Sequence, residues 1–557
     1  MAVMAVVIFH ETRGTTLWSD EWGWALYRRG GGISGLLEPH NGHFSLVPLL
    51  VYRALFATVG IDDYVPFRVM IIVAHLLCGG LLYVYASRRL GPVAALLPAA
   101  LLLTLGPAWQ NILWPFQVAW LISLAAGLGA LLMLDRGDRR GDLWACALLT
   151  LSLACSGLGI VIAAGLVVEL VRKRRDRRAL WILAAPLALY ALWWITYQET
   201  DFWRHNVVLA PRFAVDAAGG ALAALGGLTE EKFDANGTLV DAGAALGWGR
   251  PLAAVLAVVV IWRLAALRPV PARVFALLAM AATFWLLTGL QRSHVSSPDT
   301  SRYLYVGALL VLLLGVELVR GVKLPRGVAI VIVCAAGLAI VANLGHLRQG
   351  ARFLRAQGLV ARADLGALEL ARAEIPSGYA AARFPGIPFV VIGAKEYFAA
   401  ARDFGTPAAG VAEIATTSEQ ARLAADAELA TIYRLALRPG TVNADRVAPE
   451  VDVVTGGTTS IRGGCVRFRP AGALPAGTTA ELQLTIPPGG LELTAGRGPV
   501  TASVRRFART FPKDALGRLA PEGSAVLRPR EDRAAQPWHV QLAPTADVSA
   551  CGLRAGA

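Results

Sequence analysis

Charge is what this chain has least of. Only 17% of its 557 residues are Asp, Glu, Lys or Arg, against about a quarter in an ordinary soluble protein. That shortage excludes a conventional soluble globule, and a mean hydropathy of +0.53 points the same way. The apolar residues come in long blocks instead of amphipathic stripes, the pattern of helices that lie in a bilayer. Cysteine is sparse too, at six residues. Cys78, Cys146, Cys155 and Cys334 sit inside apolar blocks as packing residues. Cys465 and Cys551 fall in the polar C-terminal region, where they form its one candidate disulfide if that region lies outside the cytoplasm. The chain shows no internal repeat and no Gly-rich phosphate loop. Its N-terminus has neither the basic start nor the small-residue cleavage site of a signal peptide.

What charge there is carries a net +14. The cations are not interleaved with aromatics on one surface, so no nucleic-acid partner is expected. They cluster between apolar blocks, at Arg88-Arg89, Arg136/Arg139/Arg140, Arg172 to Arg178, Arg263/Arg268/Arg273 and Arg320/Lys323/Arg326. Such clusters mark cytoplasmic loops. Arginine outnumbering lysine, with abundant alanine, points to a high-GC bacterial genome and hence to a bacterial plasma membrane.

The blocks predict an α-helical polytopic membrane protein with about eleven helices. Met1 to Phe9 spans only about 14 Å, half a hydrocarbon core, so an upstream start adding about ten apolar residues is expected. Residues 10–65 form an outer loop with a short amphipathic or re-entrant helix over Phe44 to Val59. Helices follow at 66–86, 92–107 and 116–134. Leu143 to Val171 has basic runs at both ends, which a single span cannot satisfy. A break at Cys155-Ser156-Gly157-Leu158-Gly159 makes it a re-entrant hairpin with an outward tip. Further helices are expected at 179–197, 250–265, 272–290, 303–320 and 327–345, placing 198–249, 291–302 and everything after 345 outside. Three regions result: a membrane domain over 1–345, an extracytoplasmic α/β segment over 346–440 with a strand at Phe389 to Ile392, and a β-sandwich over 441–557. The last is expected to be a structural cap more than a carbohydrate-binding module. Its few aromatics, Phe468, Phe507, Phe511 and Trp538, offer little for sugars to stack on.

An acid pair, Asp20-Glu21, lies in the first outer loop. By itself it reads first as a helix cap, with Ser19 or Asp20 capping a helix through Tyr27 and the acids solvated, and only second as catalytic. Its surroundings add to it: Asp20-Glu21-Trp22 and Leu26-Tyr27-Arg28-Arg29-Gly30, then His40-Asn41-Gly42-His43-Phe44 and Pro48-Leu49-Leu50 with Tyr52. This resembles the first outer loop of the family 39 glycosyltransferases of GT-C type, which include protein O-mannosyltransferases and lipid A aminoarabinose transferases. The hairpin turn resembles that family's broken helix pair, with Ser156 where lysine is frequent, and Ser301-Arg302-Tyr303 resembles an Arg-Tyr at the start of a late helix. The resemblance covers residues 10–345. It departs in the second outer loop, where Trp109 to Gln117 contains no carboxylate, so a mechanism needing two acids must recruit Glu21 or Glu38.

The resemblance implies a glycosyltransferase that moves a sugar from a polyprenyl-phosphate donor to a glycan, lipid or protein acceptor of the envelope, at the outer face and with inversion. Asp20 is the implied base, with Glu21 beside it. Arg292, His294, Arg302, Tyr303 and Arg204 are candidates for the donor phosphate, although arginines at helix ends also snorkel. Glu38, His40, His43, Gln110, Asn111 and Gln117 are candidate sugar or acceptor contacts. Glu38, His40 and His43 have a spacing that would admit a divalent metal, but three ligands in a glycine-containing loop are a weak signature, and no cofactor is called for. Trp22, Trp24, Trp109, Trp114 and Trp203 read first as an interfacial belt. The alternative is a non-catalytic envelope protein, a transporter or assembly scaffold, of the same architecture. Against it, the polar residues gather at the outer rim and not at mid-membrane depth.

Overall fold

The computed structural model describes residues 1–173, 180–197, 203–229, 232–233, 239–241, 247–267, 269–381, 384–472 and 479–554. Residues 174–178 of the third basic run, and Arg268 of the fourth, lie outside these. The chain divides into two compact units, Met1–Ala356 and Gln357–Ala557. The division falls within one continuous helix, Arg326–Leu370, which also runs through the expected boundary at 345.

The first unit is built from apolar helices and is a multi-pass membrane protein. By length and composition seven described helices could cross a bilayer, or eight if the bent pair Leu96–Leu103 and Gly106–Leu113 is one span. Ion pairs show which helix ends lie together. Arg89 pairs with Glu317 and, at 3.1 Å, with Asp135; Arg273 meets Glu169 at 2.6 Å and Asp135 at 2.9 Å; Lys173 reaches Glu169 at 2.5 Å. These residues close Val65–Leu90, Val118–Leu134, Leu158–Arg172 and Ser301–Val319, and open Ala272–Arg292. Cations and carboxylates balance there, which is what lets charge persist among buried side chains. The other ends of the same helices carry Gln117, Gly157, Arg292 and Arg302, and these surround a cavity.

The hairpin arms are Arg139–Cys155 and Leu158–Arg172. Asp138 caps the first arm by accepting from the Gly141 N–H at 2.7 Å. Each arm is about 22–25 Å long, so the turn at Ser156-Gly157 reaches the cavity end.

The segment 198–249, expected as an outer loop, contains a further helix, Asn206–Leu225. Pro211, Arg212 and Asp216 interrupt its apolar run and hid it from a block reading. It is long and apolar enough to span, but its contacts run across the cavity end. Asn206 donates to the Leu290 carbonyl, Gly289 abuts Ala210, Asp216 pairs with Arg250 at 2.7 Å, Gly219 abuts Gly249, and Ala224 accepts from Asn343. Apart from Asn343, which lies inside Arg326–Leu370, those partners lie near the cavity-side ends of their own helices, so this helix lies along that end of the bundle.

In the second unit, helices Ala394–Phe404, Val411–Thr416 and Glu419–Ile432 precede the C-terminal β-region. The strand expected over 389–392 shrinks to Ile392–Gly393, because Phe389 takes a left-handed φ of 70° that ends extended pairing. The β-region forms two antiparallel sheets. In one, the strand His539–Pro544 lies between Glu481–Thr485 and Val500–Arg505; in the other, Val548–Leu553 lies between Leu491–Ala495 and Cys465–Pro470. Alternation is strict in Glu481–Thr485, where Leu482 and Leu484 are buried and their neighbours are half-exposed. Phe468, Phe507 and Trp538 are buried as well, so none is a stacking platform for a sugar. Asp426 accepts the backbone N–H groups of Arg506, Phe507 and Ala508 at 2.8 to 3.1 Å, fixing helix Glu419–Ile432 to the sheet.

Cys465 and Cys551 are directly opposite on paired strands and form a disulfide across 86 residues of sequence. Replacing both by Ser should lower the stability of this unit by about 2–4 kcal/mol. Thermal unfolding of the full chain with and without reductant checks it: the double variant should lose its sensitivity to reductant.

Candidate functional site

The Asp20–Tyr27 helix starts from a bend. Ser19 has a φ of 51°, a left-handed value that costs a serine about 1–3 kcal/mol. The bend is held by backbone bonds from Glu21 N–H to Trp18 O and from Trp22 N–H to Ser19 O. Its result is to send the two adjacent acids in opposite directions. Asp20 faces the cavity and Glu21 faces the interior.

Glu21 is fully buried and pairs with no cation among the described residues. Its Oε1 accepts from Tyr52 at 2.6 Å and Tyr64 at 3.0 Å; its Oε2 accepts from Tyr64 at 2.7 Å, the Trp18 N–H at 3.0 Å and the Trp114 indole at 3.1 Å. Burial pushes its pKa up to about 7 despite these donors, because four neutral hydrogen-bond partners do not replace bulk water. Glu21 does not line the cavity.

Asp20 has different surroundings. Asn41 donates to its Oδ1 at 3.0 Å and the His40 ring lies 3.5 Å from the same oxygen. Burial alone would raise its pKa, but the bonds from His40 and Asn41, with the charges of His40 and Arg302, outweigh it and hold the carboxyl below the ordinary value. Asp20 is therefore anionic at neutral pH.

Asn41 and Gly42 form a two-residue turn between His40 and His43, whose backbones exchange hydrogen bonds at 3.0 and 2.9 Å. Both central residues have positive φ, 50° and 77°, as a type I′ turn needs, and Asn-Gly is the pair that adopts it most cheaply. The turn meets the hairpin tip: a Cβ on Gly157 would lie 3.1 Å from the His43 ring. Enclosure there, with Arg292, His40 and Arg302 nearby, lowers the His43 pKa to about 4, so its ring is neutral.

The cavity has a volume of about 470 Å³. Asp20, His43, Gln117, Arg292, Arg302 and Tyr303 line it, and Asp20 is its one carboxylate among the described residues. Neither arginine has an ion-pair partner among the described residues. Arg292 donates to the Asn41 carbonyl at 2.8 Å, and Arg302 lies 5.6 Å from the centre of the Tyr303 ring. Two cations against one anion leave the site positive. Gln117 is buried with its Oε1 unpartnered, a free acceptor at the wall. Asn41, Ser156, Thr288 and Gln291 add polar groups to the wall, and the rest of it is apolar or aromatic, with Trp120 stacked on Tyr303 and Tyr190 and Trp194 contributed by helix Trp181–Tyr197.

The other sequence candidates stand off the cavity. His40 backs Asp20, while Glu38 is exposed with its carbonyl accepting from Arg28. Gln110 donates its backbone N–H to Ser301 at 3.1 Å, and Asn111 is buried with both amide atoms unpartnered. His294 stacks on Trp203 and bonds to Asn206 at 2.9 Å, and Arg204 is exposed. Glu38, His40 and His43 do not converge, and among the described residues no group of three or more His, Cys, Asp or Glu could hold a metal ion. Asn41, Trp120, Tyr190 and Trp194 were missed by the sequence reading. Asn41 had a signal, since Asn-Gly between two histidines is a turn whose first residue carries a side-chain amide.

No family model matches the chain, and no curated protein matches it. Solved structures similar to it include ArnT from Cupriavidus metallidurans in the apo state, at 15% identity and a TM-score of 0.43, and the same protein bound to undecaprenyl phosphate, at 14% and 0.42. Each comparison covers 67% of this chain and 80% of that one.

Proposed function

We propose that this chain is a glycosyltransferase that moves a sugar from a polyprenyl-phosphate donor to an envelope acceptor at the outer face of a bacterial plasma membrane. The observation that carries it is one anionic carboxylate and two arginines without ion-pair partners facing a single cavity among apolar helices. A lipid-linked phosphate sugar needs that combination: apolar walls for the prenyl chain, cations for the phosphate and a base for the acceptor. The basic runs, Arg88-Arg89 and Arg136/Arg139/Arg140 among them, lie at the ion-pair end, so by the positive-inside rule the cavity end faces outward. The same rule supports an extracytoplasmic C-terminal unit.

In the reaction the acceptor hydroxyl attacks the anomeric carbon and the bond from that carbon to the phosphate oxygen breaks, with inversion. The phosphate leaves with the electron pair, and Arg302 and Arg292 hold the charge it gains. The hydroxyl proton goes to Asp20. Although its pKa is low, Asp20 suffices if transfer is late, since the hydroxyl becomes strongly acidic once its oxygen is bonded to the anomeric carbon. Gln117 offers its free carboxamide oxygen to a sugar hydroxyl. Glu21 has a positioning role, anchoring the bend that aims Asp20.

The test is transfer by the purified protein from fluorescent polyprenyl-phosphate sugars to envelope extracts, with nucleotide sugars as the negative comparison. Replacing Arg302 by Gln should weaken competition by sugar-free polyprenyl phosphate by about 10–100-fold, the size of one lost charge-assisted bidentate contact. Substrate flux in proteoliposomes with no transfer from any lipid donor would overturn the proposal.

A further inference from the structure

We infer that Asn41 is a positioning residue that ties the base to the phosphate-holding arginine, so that one two-residue turn sets both. This rests on the reading of Asp20 as base. The side-chain amide of Asn41 donates to Asp20 Oδ1 at 3.0 Å, and its carbonyl accepts from Arg292 at 2.8 Å.

The turn is built to hold that position. Its backbone bonds between His40 and His43 fix the loop width, its φ values suit Asn-Gly, and its far strand is pressed onto Gly157 of the hairpin tip. A residue bearing both a donor side chain and tolerance for a left-handed φ is needed at its first position, and asparagine meets both demands. Oδ1 of Asp20 is thereby occupied by Asn41 and faced by His40, which leaves Oδ2 for the acceptor proton. The charged and titratable groups facing Asp20 are His40 from the same turn and Arg302 from helix Ser301–Val319, with Arg292 and the His43 ring behind the turn. A donor phosphate that draws on Arg292 competes with the Asn41 carbonyl, so donor arrival is felt at the residue that orients the base.

The two arms of Asn41 can be separated. Asn41→Gly keeps the left-handed turn and the carbonyl but removes the amide. Its acidic limb of kcat/KM should move up by about one pH unit, with KM for the lipid donor unchanged. Asn41→Asp places a second carboxylate beside Asp20 and should move the limb further, as like charges do. Both are measured beside Asp20→Asn, with thermal midpoints confirming the fold. If Asp20→Asn is inactive but both Asn41 profiles match the parent, this inference fails alone. If Asp20→Asn retains activity, the base assignment fails and takes this inference with it.

Discussion

Asp20→Asn should lower kcat/KM for sugar transfer by about 10²–10⁴-fold, the usual contribution of a positioned general base. The substitution is nearly isosteric, so the cavity keeps its shape, but an amide nitrogen cannot take a proton from an attacking hydroxyl. Donor binding should move the other way. The Asp20 carboxylate shares the cavity with Arg292 and Arg302, and there it opposes a phosphate. Removing its charge should tighten binding of sugar-free polyprenyl phosphate by a few-fold, since the two arginines then face no anion. Single-turnover transfer and lipid binding, measured on the same preparation, separate these effects. Transfer at the parent rate would remove Asp20 from the chemistry. Impaired binding with an unchanged single-turnover rate would make it a donor contact instead.

Much of the membrane unit was legible because lipid imposes a crude grammar: apolar blocks of fixed length with cations at one side. The basic runs located the ion-pair end, and the conflict between two of them located the turn at Ser156-Gly157. The fine positions were hidden. Helix Asn206–Leu225 escaped because its exposed Arg212 and its buried Asp216, paired with Arg250, break the block pattern. Helix Arg326–Leu370 was cut short at 345 because hydropathy reports the edge of lipid, whereas the hydrogen-bond ladder continues well past it. At the site, Glu21 was read as a catalytic partner beside Asp20 because neighbouring residues in sequence give no hint of a φ reversal at Ser19. The partners of Glu21 are up to 93 residues away, at Trp114, a separation no local pattern encodes. His294, a phosphate candidate by residue type and position, stacks on Trp203 and bonds through Nδ1 to Asn206, contacts that no local pattern encodes.

Glu21→Ala should destabilise the membrane unit by at least ~4 kcal/mol, because it leaves the Trp18 N–H, the Tyr52 and Tyr64 hydroxyls and the Trp114 indole without an acceptor, at about 1–3 kcal/mol each. Glu21→Gln is the more informative variant, because it keeps the volume and cannot ionise. The folded-state pKa of Glu21 is raised from 4.5 to about 7. Between those values the native protein binds a proton that the unfolded chain has released, so the stability contributed by the neutral acid is complete below about 4.5 and is lost as pH rises through about 7. The whole rise is worth about 3 kcal/mol. The proton belongs on Oε1, which faces only tyrosine hydroxyls able to turn and accept it; Oε2 faces the donor-only Trp18 N–H and Trp114 indole and must remain an acceptor. The thermal midpoint of the parent minus that of Glu21→Gln should therefore fall as pH rises from 5 to 8. A difference that rises with pH would mean that the four donors hold Glu21 as a carboxylate, with the anion as the form that anchors the bend at Ser19 and aims Asp20.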